Sequence, residues 1–453
     1  MKNHFKDTIN WLNRKSNRSS LIIKNVFASI AIKGWSVIIQ LMLVPLTLSC
    51  LGVYENGVWL TISSVLIWID NFDIGLGNGL RNQLAVSIAR NDYTKAKEVI
   101  SSTFAMLAVI IIPILSILIV LELTVDNYAI FNVDNTVVKQ LDTILVVSTF
   151  FVCTTFVFKF LGNFFMGLQL PAMSNLIQTL GNTLALIGTF FVYISGKHSM
   201  LLIAISNTAA PLFVYLLCYP LTFYGKYNYL RPNWRYVKTT TIKELFSVGI
   251  KFFLLQIVGV VLFFSSNIII SRLLSPAYVT PYQIAHRYFM IAALVFTIVC
   301  VPFWSATTDA YERKDFDWIK RSNKILNIFL FSIFLLITIM IFLSGFVYDI
   351  WIHDRSIVPF SITVITGLYQ FVLIWSTRYS FVLNGIGALR LQLICSVCAA
   401  IMYIPIAILV GHTTQSINWL LVVMCAVNIP GLIVNFIQYN KLINNKATGI
   451  WKK

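Results

Sequence analysis

Residues 325–346 read ILNIFLFSIFLLITIMIFLSGF, a stretch without a single charged side chain. At 1.5 Å of rise per residue, a helix of this stretch is about 33 Å long. That is enough to cross the ~30 Å hydrocarbon core of a bilayer. A helix on a water-soluble core would carry a polar face over this length, and this one has none. The stretch therefore predicts a transmembrane helix. Outward from it, comparable apolar runs fall at roughly 25–50, 57–78, 100–123, 141–166, 172–194, 200–224, 246–271, 281–305, 358–383, 389–411 and 416–438. The predicted fold is an all-α integral membrane protein with about 12 transmembrane helices. The connections are too short for a separate soluble domain.

Composition agrees. Of 453 residues, 58% are hydrophobic and 11% charged, against about 25% charged in ordinary soluble domains. The net charge of +17 does not indicate a nucleic-acid partner, because the basic residues punctuate the spans instead of gathering on one face. With the N-terminus inside, the inner connections hold 25 of the 34 Lys and Arg, and the outer ones hold Lys139, Lys197, Arg272 and Arg355. That asymmetry predicts cytoplasmic N- and C-termini. The first residues are polar and basic without a short apolar core, so a basic amphipathic arm is expected over 1–24 rather than a signal peptide.

Two stretches repeat. Phe27–Lys33 (FASIAIK) is echoed by Phe246–Lys251 (FSVGIK), Ala89–Lys97 (ARNDYTKAK) by Glu312–Lys320 (ERKDFDWIK), and Gly167 by Gly385. The offsets of 218, 223 and 218 residues predict two pseudo-symmetric six-helix bundles. These are an N-terminal bundle at 25–224 and a C-terminal bundle at 246–438. A cytoplasmic linker at 225–245 joins them, and a tail at 439–453 follows. Internal repeats of this kind are typical of secondary transporters, with the substrate path between the halves.

Five basic residues remain, all inside spans: Lys33, Lys159, Lys251, Arg287 and Arg378. No acid lies at comparable depth; Asp70, Asp73 and Asp309 sit toward inner ends and Glu122 at an outer end. An ion inside the bilayer costs several kcal/mol unless it faces protein or water. An anionic substrate such as a phosphate or pyrophosphate would supply the missing negative charge. Lys33 pairs with Lys251 and Lys159 with Arg378 under the repeat, all roughly 9–15 Å from the inner ends by helical rise. The competing reading is that long basic side chains snorkel to the headgroups.

Polar stripes add candidate sugar contacts. Ser29, Lys33, Ser36 and Gln40 share a face of the first span, and Asn175, Gln178 and Asn182 a face of the fifth. Helix–helix hydrogen bonding explains such stripes equally well. Cys395 and Cys398 form a CxxC inside an apolar run with no second pair, which reads as packing, not metal or redox chemistry. No catalytic residue, metal site or cofactor is expected. Pro45, Pro113, Pro211, Pro302 and Pro430 permit kinks inside spans.

Leu51–Trp59 (LGVYENGVW) followed by Asp73–Asn82 (DIGLGNGLRN) resembles the span-2 signature of the bacterial polysaccharide (O-antigen repeat-unit) flippase family. That family lies within the multidrug/oligosaccharidyl-lipid/polysaccharide exporter superfamily. Tyr282–Arg287 (YQIAHR) resembles the start of span 8 across the superfamily. The glycine-rich run suits a gate or a tight packing point, with Asp73 and Arg81 at hand for a headgroup; for Arg81 the positive-inside rule is an equal explanation. The resemblance implies alternating-access movement of undecaprenyl-pyrophosphate-linked oligosaccharide to the outer leaflet of the bacterial cytoplasmic membrane. Membrane lipid and the polysaccharide polymerase machinery would be its partners. An inside-negative potential opposes that movement of an anion, so some coupling or downstream pull is implied. Two alternatives remain. A drug or metabolite antiporter would favour a mid-span acid, and a polymerase or ligase would need a large outer catalytic loop.

Overall fold

A computed structural model of the chain describes residues 2–70, 76–245, 265–388, 390–444 and 446–452, with nearly all side chains from residue 31 onward. Every regular element among them is helical. That is the outcome forced on a backbone that must satisfy its own N–H and C=O groups in hydrocarbon. The principal helices are α1 (Lys2–Asp70), α2 (Leu76–Ala89), α3 (Tyr93–Thr124), α4 (Asn127–Phe131), α5 (Leu141–Phe158), α6 (Phe160–Gly167), α7 (Pro171–Ile194), α8 (Met200–Phe223), α9 (Val279–Glu312), α10 (Phe316–Trp351), α11 (Phe360–Ile386), α12 (Arg390–Thr414) and α13 (Ile417–Ile443).

Among the described residues, ten helices are long and apolar enough to cross a membrane. The first, Ala31–Ile69, has 39 residues, about 58 Å and nearly two bilayer crossings. It is two limbs joined at Gly52, whose φ of 68° and ψ of −179° break the helix. A side chain is strained in that left-handed region, although nothing lies within 4 Å of a Cβ built there. The backbone, not the space, requires glycine. Sequence reasoning placed an outer connection at 51–56; the structure keeps helix on both sides of this one residue. The expected span 246–271 lies outside the described residues as far as 264.

The chain falls into two compact units. Unit 1 comprises 1–50, 69–125 and 140–254; unit 2 comprises 51–68, 126–139 and 255–453. Unit 2 thus takes in the second limb of α1 and the loop carrying α4.

Inside unit 1, aromatic rings knit four helices. Phe104 of α3, Phe158 of α5, Phe160 of α6 and Tyr219 of α8 lie with ring centroids 5.0–6.3 Å apart, and Phe160 stacks on Phe223 at 6.1 Å. Such pairs add about 0.5–1.5 kcal/mol each beyond burial. The glycine-rich run proves helical from Leu76 onward, and a Cβ at Gly79 would stand 3.0 Å from Leu245 O. That agrees with the tight-packing reading of the run.

Inside unit 2, the second limb of α1 is bonded to the start of α9 and to the helical segment 265–273 before it. Thr280 Oγ1 donates to Val53 O at 2.7 Å, Asn56 Nδ2 donates to Thr280 Oγ1 at 3.2 Å, and Asn267 Nδ2 donates to Leu60 O at 3.3 Å. Gly57 packs directly on Pro276, where a Cβ would lie 1.9 Å from the carbonyl oxygen.

Some backbone features recur at spacings close to those of the sequence echoes. Positive φ recurs at Asn91 and Lys314, Asn132 and His353, Gln169 and Gly387, and Gly196 and Gln415, each pair 218–223 residues apart. Asp92 caps α3 by accepting from Lys95 N, and Asp315 caps α10 by accepting from Trp318 N. In the connecting loops, Asp134 accepts from Thr136 N and Oγ1, as Asp354 does from Ser356 N and Oγ. These bonds hold both carboxyls below the usual carboxylate range.

Candidate functional site: cations within the spans

Arg378 is the most enclosed of the candidate cations among the described residues. It lies in the C-terminal half of α11, 2% exposed. Its Nη2 donates to Asn323 Oδ1 of α10 at 2.7 Å. The guanidinium carbon lies 4.2 Å from the centroid of the Tyr379 ring, and that ring meets Tyr439 of α13 at 5.7 Å. Arg378 Nε has no hydrogen-bond partner among the described residues. Among the described residues no carboxylate pairs with this guanidinium. A neutral amide and a π face solvate the charge without cancelling it. An anion is the chemical complement of such a group.

The same region holds polar residues that sequence reasoning missed. Asn435 Nδ2 donates to Ser376 Oγ at 3.4 Å. Gln438, fully buried, has neither amide atom bonded among the described residues. The contacts 376–435 and 379–439 set the register of α11 against α13, and they put Gln438 level with Arg378. Buried polar groups normally find partners, and here α13 presents buried amides beside α11, one of them bonded to Ser376. Asn323 lies in the polar run Arg321–Lys324 just before an apolar span, and Asn435 and Gln438 lie near the end of another. For Asn435 the signal available was that an amide inside a span is costly; Asn323 lies outside the span read at 325–346 and gave none.

Arg287 on α9 is half-buried. One turn earlier, Gln283 Nε2 donates to Asn267 Oδ1 at 2.7 Å, and His286 lies 5.9 Å from the Tyr282 ring. Arg287 and Arg378 both belong to unit 2. Lys159 and Lys33 belong to unit 1. Lys159 is half-buried at the junction of α5 and α6, where its N–H still donates to Thr155 O at 2.9 Å. Lys33 is exposed on α1. Lys251 and Asp73 lie outside the described residues. Arg81 is exposed on α2.

Two of the polar stripes meet. Asn182 Nδ2 of α7 donates to Ser36 Oγ of α1 at 3.4 Å, so the fifth-span stripe touches the first-span stripe inside unit 1. Gln40 and Asn175 are half-buried and Gln178 is exposed. Helix–helix bonding accounts for Asn182. Gln178 faces outward from the unit.

Near the far end of α3, Thr149 Oγ1 of α5 donates to Glu122 Oε1 at 2.5 Å. The cysteines among the described residues are free thiols.

No family model matches the chain. Two curated relatives do. One is named "Putative O-antigen export protein", from Yersinia pseudotuberculosis; it is 24% identical over 367 residues, 78% of this chain and 81% of the relative. The other is named "Putative O-antigen transporter", from Salmonella typhimurium; it is 21% identical over 389 residues, 83% and 85% of the two chains. Among solved structures, an inward-facing multidrug resistance MATE family transporter of the MOP superfamily matches with a TM-score of 0.78 at 15% identity. The match covers 93% of this chain and 98% of that one. A MOP superfamily transporter from Pyrococcus furiosus matches with a TM-score of 0.63 at 16% identity over 94% and 96%. The chain therefore has the fold of these transporters, and the resemblance read from its second span is met by relatives bearing O-antigen export names.

Proposed function

We propose that this chain, a relative of O-antigen export proteins folded like the MOP superfamily transporters, is a multi-pass membrane transporter for lipid-linked glycans. It moves undecaprenyl-pyrophosphate-linked oligosaccharide repeat units from the inner to the outer leaflet. The observation that carries the anionic substrate is Arg378, a buried guanidinium bonded to an amide and stacked on a phenol, with no carboxylate beside it among the described residues. Such a charge is expensive to maintain in a membrane and is retained where it does work on a counter-charge.

In this reading two pseudo-equivalent six-helix halves alternate the access of a central site, and the recurring positive-φ residues and helix caps support that origin. Lys33, Lys159, Lys251, Arg287 and Arg378 hold the pyrophosphate as it passes. The hydrogen-bonding side chains Gln40, Asn175, Gln178 and Asn182 meet sugar hydroxyls, and Asp73 and Arg81 attend the headgroup at the inner gate. Both termini are cytoplasmic, and the polymerase machinery takes the product on the far side.

The test is transport by the purified protein in liposomes. A fluorescent pyrophosphate-linked oligosaccharide should become accessible on the opposite leaflet only when the protein is present. A cationic dye should not be moved. Extrusion of the dye with no flipping of the glycan would overturn the proposal in favour of drug transport.

A further inference from the structure

The segment after α8, expected to be only a linker, is a bonded platform. Asn233 N donates to Ser101 Oγ at 3.0 Å and Lys238 N donates to Ser102 Oγ at 3.1 Å. Lys238 pairs with the largely buried Glu98. Lys95 bonds both Thr241 Oγ1 and Glu244 Oε2. Tyr93 meets Tyr229 edge to face at 5.5 Å, and Lys97 lies 4.6 Å over Tyr236. The segment is thus strapped along the first turns of α3 and holds its exposed side chains in fixed places.

Those exposed side chains form a pattern. Phe213, Leu217 and Leu221 stand on one face of α8 at helical spacing, 55%, 50% and 75% exposed. On a membrane helix such a stripe faces lipid. Tyr224 continues it three residues on, 61% exposed, with the Arg231 guanidinium 4.2 Å over its ring. Tyr229 and Trp234 are also largely exposed, and Lys226 and Arg235 stand among them. Tyr and Trp collect at the headgroup level of membranes, where one end of the ring is apolar and the other wet. Interleaved cations draw anionic headgroups to the same level. The segment carries five basic residues at 226–243 against the single acid Glu244, and Glu244 is taken by Lys95.

We propose that Tyr224, Lys226, Tyr229, Arg231, Trp234 and Arg235 form a binding surface for the anionic phospholipid headgroups of the adjoining leaflet. The aromatic rings lie among the glycerol groups, and the guanidinium groups of Arg231 and Arg235 take the phosphates. The platform anchors the inner end of unit 1 at a fixed depth.

The test uses the full chain in vesicles of phosphatidylcholine doped with dibrominated phosphatidylglycerol or, at equal level, dibrominated phosphatidylcholine. The contribution of Trp234 is the difference between wild type and Trp234→Phe. It should be quenched by the brominated lipids, about twofold or more strongly by the phosphatidylglycerol. The double variant Arg231→Gln/Arg235→Gln should abolish that preference while retaining the quenching. Emission from Trp234 quenched by aqueous iodide and not by brominated lipid would overturn the proposal. Equal quenching by the two lipids in the wild type would overturn its anionic selectivity.

Discussion

Arg378 donates to Asn323 Oδ1 at 2.7 Å, and this pairing of a full charge with a neutral amide leaves the cation electrostatically available. The consequence is a directed substitution. Asn323→Asp keeps an oxygen acceptor in place and adds the missing counter-charge. If the guanidinium serves a passing anion, the variant folds as well as wild type. Its transport then falls by about tenfold or more, equivalent to ~1.4 kcal/mol of headgroup attraction lost. Retained transport in a folded variant would assign Arg378 to structure alone. Arg378→Gln is the companion, and it should lose transport comparably.

Gly57 is fixed by contact. A Cβ there would lie 1.9 Å from Pro276 O, and backbone cannot move aside cheaply. Gly57→Ala should destabilise the protein by about 1–3 kcal/mol, as overpacking does. Gly34, with nothing within 4 Å of its would-be Cβ, provides the control. Gly34→Ala should leave thermal unfolding in detergent unchanged or raise its midpoint, since alanine favours helix.

The Ser101 and Ser102 hydroxyls each accept a backbone N–H of the segment that follows α8. Removing both in Ser101→Ala/Ser102→Ala should cost about 1 kcal/mol per bond. The loss falls on the strap and not on the spans. Trypsin should therefore cut after Arg235 or Lys238 several-fold faster, with the global unfolding midpoint nearly unmoved. An unchanged cleavage rate would mean that the other contacts of the strap suffice.

What the sequence made legible follows from how each feature is encoded. Spans such as 325–346 are a property of composition and need no partner to be recognised. The caps at Asp92 and Asp315 lie in sequence echoes, and the structure shows both accepting from the residue three positions on. Arg378 was found because a cation in an apolar run stands out. Its surroundings were not, because Asn323 comes from α10 while Asn435 and Gln438 come from α13, and no spacing rule joins either helix to α11. The hinge at Gly52 was read as part of a short loop, since one left-handed residue leaves no signature beyond a glycine among helix formers. The strap after α8 was invisible for a related reason. Its partners are serines on a helix far away in sequence.

The most direct measurement compares one glycan on two lipids. Liposomes carrying the purified protein are loaded with the oligosaccharide linked through pyrophosphate or through a neutral linkage. The wild type is set beside Arg287→Ala and Lys33→Ala/Lys251→Ala, each first shown to be folded and inserted. The account predicts rapid flipping of the pyrophosphate-linked glycan by the wild type, slow flipping of the neutral one, and loss of the difference in the variants. Equal flipping of both lipids by every protein would contradict a cationic site for the headgroup.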